Sequence, residues 1–148
     1  MLGVIVTGHG EFSLGLRHAT HMIAGEQAHV EWVPFLEGAG LEEFQAAIQT
    51  AVQTQLEKYN GVVVFTDLKG GTPFNVSMMA THGLNNVAVL SGTNLPMLIE
   101  GTMLSQFSDE AVPFAEKIVQ TGQNGIELGL LPAATTSSDD DLFDDEGI

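Results

Sequence analysis

The chain has 148 residues, 44% of them hydrophobic, with nineteen acidic side chains against four basic ones and a formal charge of −15. That apolar share supports one ordinary folded core, while the acidic balance argues against nucleic acid, whose phosphates need basic side chains to neutralise them, and against an anionic membrane surface. The absence of cysteine removes disulfide frameworks, thiol nucleophiles and zinc–thiolate sites.

Leu2–Thr7 is a short apolar run ending at Gly8 and reads as a buried strand. No basic region precedes it and no apolar run approaches the ~20 residues of a membrane span, so a cytoplasmic protein without a signal peptide is expected. Leu14–Ala24 carries Leu14, Leu16, Ala19, Met22 and Ile23 at approximately helical spacing and stops at Gly25. Val30–Phe35 reads as a second strand, which Pro34 places near an edge or an end. Leu41–Tyr59 is the longest predicted helix, with Leu41, Phe44, Ile48, Val52 and Leu56 three and four residues apart. Val62–Asp67 is the clearest strand. A helix over Phe74–His82 capped by Gly83, a strand over Val87–Leu90, helices over Leu95–Phe107 and Glu110–Thr121, and a last strand over Ile126–Leu131 complete the domain. Met78, Met79, Met97 and Met103 are expected to fill the core. His29 and His82 are expected at the surface or in caps, and Trp32 is a candidate for a subunit interface. The domain is therefore drawn at 1–132. Residues 133–148, small and polar and then holding six acids in the eight positions 139–146, read as a flexible acidic tail. Without those six acids, residues 1–132 keep thirteen acids against four bases, a charge of −9.

Strands that are continuously apolar and alternate with helices imply an α/β fold: a doubly wound, mostly parallel open sheet with helices on both faces. In such sheets ligands bind beyond the carboxyl ends of the strands, where strand order reverses. The first such loop places His9 between Gly8 and Gly10, sterically open on both sides. Imidazole suits proton transfer, metal ligation or nucleophilic attack near neutral pH. The loop Asp67–Asn75 sets Thr72 at a helix cap and Pro73 at the first helical position, with Gly70 and Gly71 offering bare N–H groups. That combination favours an anion at a helix N-terminus and is not a Walker loop. Lys69 is the loop's only cation. If the first and third strands are neighbours, Asp67 and His9 share one crevice. A carboxylate that accepts from one ring nitrogen fixes the tautomer and leaves the other nitrogen free. Histidine, orienting aspartate and anion cradle together describe phosphoryl transfer through a phosphohistidine. Which ring nitrogen is modified is not legible. His18 and His21 have a spacing compatible with shared metal ligation, but no third ligand stands nearby, and no metal site is assigned.

Three segments carry a resemblance to a known family: Leu2–Ser13 with Gly8-His9-Gly10, Phe65–Asn75 with Asp67 and Gly70-Gly71-Thr72-Pro73-Phe74-Asn75, and Ser91–Glu100. Through them the chain resembles the EIIA component of the mannose-type (mannose/fructose/sorbose) sugar phosphotransferase system, over nearly all of 1–131. The resemblance implies that His9 accepts a phosphoryl group from phospho-HPr and passes it to an EIIB component. It implies that Asp67 orients the ring and that Thr72 with the Gly70-Gly71 backbone steadies the phosphoryl oxygens. It further implies no cofactor, indirect association with the membrane components EIIC and EIID, and a homodimer to which an antiparallel C-terminal strand can be contributed across the interface. Some relatives continue into a fused EIIB domain. Here the chain ends in the acidic tail, so a separate EIIB is expected.

Rival readings are weighed by charge and motif. A phosphohydrolase or mutase with a nucleophilic histidine needs an arginine before it and more cations around the phosphate. Here Gly8 stands in that place and Arg17 is the single arginine. A phosphocarrier subunit of a dihydroxyacetone kinase system and a phosphorylation-sensing binding module are the remaining alternatives. The Gly-Gly-Thr-Pro-Phe-Asn and Thr-Asn-Leu-Pro-Met segments favour the sugar-transport branch. The sugar itself is not legible, since such a chain would never touch it.

Overall fold

The computed structural model describes residues 1–133, in the order β1 (Leu2–His9), α1 (Phe12–Ala24), β2 (Val30–Phe35), α2 (Leu41–Lys58), β3 (Gly61–Phe65), α3 (Thr72–Thr81), β4 (Val87–Leu90), α4 (Leu95–Leu104) and α5 (Ala111–Asn124), with a 3₁₀ turn over Ser105–Phe107. The four strands form one parallel sheet in the order β2-β1-β3-β4. Strand order reverses at β1, so the crevice between the carboxyl ends of β1 and β3 is the place where such folds bind their ligands. The expected α/β fold is the one observed, with β2, the strand containing Pro34, on an edge.

Alternate residues of the central strands feed two cores. Val4, Val6, Val63 and Phe65 pack with Met97, Leu98, Phe114 and Ile118 of α4 and α5. Ile5, Val62 and Val64 pack with Phe44, Ile48 and Val52 of α2 and with Val76 of α3. This two-sided burial explains why the strands read as unbroken apolar runs. Each such side chain contributes about 1.5–3 kcal/mol by leaving water. The two cores together fix the register that sets His9 and Asp67 side by side.

Several expectations are corrected. β1 runs on to His9 because Gly8 and His9 still pair with Pro34 and Phe35 of β2. β3 ends at Phe65, two residues before Asp67. There the chain turns out of the ladder, with the Thr93 N–H donating to the Thr66 carbonyl at 3.1 Å and the Gly92 N–H to the Asp67 carbonyl at 3.1 Å. The expected helix over Leu95–Phe107 tightens into the 3₁₀ turn after Leu104. The expected strand over Ile126–Leu131 does not form among the described residues, where Ile126, Leu128, Leu130 and Leu131 are 77–81% exposed. Of the four methionines expected in the core, only Met97 is buried, because α3 turns Pro73, Val76, Ser77 and Thr81 inward and leaves Met78 and Met79 outside. Met103 is also exposed, and Trp32 packs partly buried against the α4/α5 core. The tail expected over 133–148 lies, apart from Ala133, outside the described residues.

His29 is buried rather than at the surface. Its carbonyl accepts the Val4 N–H at 3.1 Å and its Nε2 lies 2.8 Å from Ser105 Oγ, so it joins the start of β2 to the turn after α4. Burial lowers its pKa below the ordinary 6.5, only partly opposed by a hydrogen bond to the Thr102 backbone. The unfolded chain therefore binds this proton more readily than the folded one. The stabilisation is complete above pH 6.5 and declines as the pH falls below it. The urea midpoint is expected to fall between pH 7.5 and 5.5, and His29→Gln is expected to flatten that part of the profile.

Candidate functional site

Three loops at the carboxyl ends of β1, β3 and β4 build the site. His9 is the last residue of β1. A Cβ on the preceding Gly8 would stand 2.5 Å from the Phe12 ring, so glycine there is what lets α1 begin directly beneath the histidine. Gly10 has φ +57°, a conformation glycine adopts without penalty, and its N–H donates to the Phe35 carbonyl at 2.8 Å. Because β1 and β3 are neighbours, Asp67 reaches across to His9.

The contact is a chelate. Asp67 Oδ2 accepts the backbone N–H of His9 at 2.8 Å and lies 2.7 Å from Nδ1 of the same residue. Asp67 Oδ1 accepts the Leu68 N–H at 2.8 Å. Burial pushes the Asp67 pKa up, but hydrogen bonds from the His9 backbone, the His9 ring and Leu68, together with the attraction of the imidazole, outweigh it and hold the carboxyl below its usual range. An ionised carboxylate can only accept, so the network assigns the proton to Nδ1 and leaves the Nε2 lone pair free. The His9 side chain is 48% exposed against 13% for Asp67, so the carboxylate lies deeper than the ring it holds.

The glycine pair has a different task from the one expected. The Gly71 N–H is donated to the Leu68 carbonyl at 3.0 Å, so it is not a bare donor. What Gly71 supplies is space, since a Cβ there would lie 2.8 Å from His9 Cε1. Gly70, at φ +80°, turns the loop, and its carbonyl accepts the Asn75 side-chain amide at 3.0 Å. α3 begins one residue earlier than expected, with Gly71 at the cap, Thr72 as the first helical residue and no cap bond from the Thr72 hydroxyl. The backbone N–H groups of Gly70 and Thr72 have no acceptor among the described residues. They stand on either side of Gly71, which lies against the His9 ring, at the positive end of α3.

The structure adds residues to which the sequence reading gave no role. The Thr66 hydroxyl donates to the Leu90 carbonyl at 2.6 Å, and the Thr93 hydroxyl donates to the Thr66 carbonyl at 2.7 Å, tying the Asp67 loop to the end of β4. Asn75 fastens the glycine turn. A threonine at a strand end and the asparagine closing Gly-Gly-Thr-Pro-Phe-Asn were the available signals. Lys69 is exposed and forms no ion pair among the described residues. No cluster of three or more potential metal ligands occurs among them either. The His9 side chain is nearly half exposed, so the ring is reachable from the surface.

A doubly wound parallel domain with a carboxylate-oriented histidine on its carboxyl edge has the geometry that lets a histidine act at the surface. Known proteins narrow this class. The profile of the EIIA-man family, described as the PTS system fructose IIA component, matches residues 3–119, and the chain belongs to this family of sugar phosphotransferase-system components. The fructose-specific EIIA component of Bacillus subtilis is 33% identical over 100 residues, 68% of each chain. The mannose-specific EIIAB component of Escherichia coli K12 is 30% identical over 139 residues, covering 85% of this chain but only 39% of that longer protein. A mannose/sorbose-specific IIA subunit from Enterococcus faecalis superposes with a TM-score of 0.78 at 32% identity, over 90% of this chain and 98% of its own. No helix among the described residues is long and apolar enough to cross a membrane.

The role of Gly71 is testable apart from its backbone bonds. Gly71→Ala is expected to leave the fold intact and push the His9 ring off Asp67. A displacement of about 1 Å costs on the order of a hundredfold in rate. Phosphoryl acceptance by the variant, followed beside its circular dichroism spectrum, measures this.

Proposed function

We propose that this protein is a phosphocarrier in which His9 takes a phosphoryl group from phospho-HPr and hands it to an EIIB component during sugar uptake. The observation that carries the reading is the double hold of Asp67 Oδ2 on the backbone N–H and Nδ1 of His9, whose side chain is half exposed. In the forward step the Nε2 lone pair attacks phosphorus. The P–N bond to the donor histidine breaks, and its electron pair returns to the donor ring. Asp67 holds the Nδ1 proton throughout and stabilises the positive charge that the ring acquires. The N–H groups of Gly70 and Thr72 and the Thr72 hydroxyl steady the phosphoryl oxygens, while Gly71 provides the clearance the ring needs. No cofactor or metal takes part. Transfer to EIIB is the same displacement with the roles exchanged.

The domain at 1–132 acts in the cytoplasm as a homodimer, associated through EIIB with the membrane components EIIC and EIID. The exposed apolar run Ile126–Leu131 supports a strand exchanged between protomers, because it joins no strand among the described residues. The alternating positions of Ile126, Leu128 and Leu130 suit addition to a sheet edge.

Incubation with phosphoenolpyruvate, enzyme I and HPr is expected to add one acid-labile phosphoryl group to the intact mass of the wild type and none to His9→Gln. Phosphorylation of the variant would place the acceptor elsewhere. Asp67→Ala is expected to keep the acceptor but slow its phosphorylation by about a hundredfold, through loss of the tautomer and of ring orientation. Wild-type rates in that variant would remove Asp67 from the mechanism.

A further inference from the structure

Arg17, the chain's single arginine, and Trp32, its single tryptophan, have no part in the phosphoryl site. Both line a cavity of about 130 Å³ between α1 and the edge strand β2. From α1 come Arg17, Thr20 and His21, whose spacing puts them on one helix face. From β2 come Val30 and Trp32, two residues apart and so on one face of the strand. Gly25, at φ +74°, ends α1 by donating its N–H to the His21 carbonyl at 3.0 Å, and the loop 25–28 closes the remaining side. A cavity of about 150 Å³ admits a molecule as large as benzene, so this one suits a small ligand.

The chemistry of the walls selects its class. Thr20 is 1% exposed, and its hydroxyl has no hydrogen-bond partner. A threonine inside a helix ordinarily turns its hydroxyl onto a carbonyl one turn back. Thr81 does so to Ser77 at 2.9 Å and Thr102 to Ile99 at 3.1 Å. The Thr20 hydroxyl is therefore a donor held in reserve beside the cavity. Arg17 is exposed and forms no ion pair among the described residues, where the pairs are Met1–Asp109 and His9–Asp67. No carboxylate stands on α1, and Glu26 is the only one among the lining residues. A guanidinium fork and a hydroxyl on one wall recognise an oxyanion, and an indole on the other receives an apolar body. We infer that this cavity binds a small oxyanion, a carboxylate or phosphate held by Arg17 and Thr20 with its body against Trp32. The cavity shares no residue with the loops around His9, so the inference stands independently of the phosphocarrier reading.

Because Trp32 is the only tryptophan, its fluorescence in the full-length protein reports on this wall alone. At constant ionic strength, inorganic phosphate or malonate is expected to change the emission saturably, while malonamide, the uncharged counterpart of malonate, leaves it unchanged. Saturation by one anion only supports the site and names the group it takes. Arg17→Gln is expected to weaken binding tenfold or more, and Thr20→Val about fivefold. Without ligand, Thr20→Val should melt no lower than the wild type, since valine fills the same space without an unpaired hydroxyl. Glu26→Gln, which removes a repelling charge, should tighten binding. Lys58→Gln, on α2 across the sheet, should keep the wild-type affinity. The site is overturned if neither anion saturates, if malonamide acts as malonate does, or if Arg17→Gln binds like the wild type. An equal loss in Lys58→Gln would reduce the effect to bulk charge, and a lower melting temperature of Thr20→Val would show a hydroxyl already engaged.

Discussion

One carboxylate oxygen governs the site. Asp67 Oδ2 accepts from the backbone of His9 and faces Nδ1 of its ring, and those two bonds need the ends of β1 and β3 to lie side by side. The two cores are therefore part of the chemistry, because they hold the parallel register that spaces the residues. Asp67 stays ionised because three donors converge on it despite its partial burial. Its charge holds the ring proton on the inner nitrogen. The surrounding threonines and Asn75 tie the loops down so that this geometry does not have to be assembled when a partner arrives.

Charge explains why the histidine can work with so few cations. Residues 1–132 carry −9 and hold a single arginine. An enzyme that bound free phosphate would have to overcome that repulsion with a cage of guanidinium groups. A carrier holds its phosphoryl group covalently and needs only the ring, its counter-charge and a few N–H dipoles. Half-exposure of His9 on an open edge fits exchange between protein surfaces rather than capture of a small molecule.

Much of this was legible in the sequence, for physical reasons that differ from residue to residue. Continuous apolar strands indicated burial on both faces, and Pro34 marked the edge strand because proline cannot donate to a ladder. The meeting of His9 and Asp67 was legible because neighbouring parallel strands bring the loops at their carboxyl ends together. What failed depended on contacts at a distance. Gly71 looked like a bare N–H, and only the fold shows that its missing side chain makes room for a ring sixty-two positions away in the chain. Met78 and Met79 looked like core, but the short helix α3 turns its small and β-branched residues inward instead. His29 lies at an element edge in sequence and against Ser105 in space. The run Ile126–Leu131 has the alternation of a strand, and alternation cannot say whether an edge of the same chain is there to receive it.

The most direct test of this account is the identity of the phosphorylated nitrogen. Two-dimensional ¹H–¹⁵N spectroscopy of the ring, recorded on the ¹⁵N-labelled protein before and after phosphorylation and combined with ³¹P detection, resolves both ring nitrogens. The account predicts a proton on Nδ1 in both states and phosphorus on Nε2 in the second. Phosphorus on Nδ1 would contradict it, because that nitrogen could not then donate to Asp67.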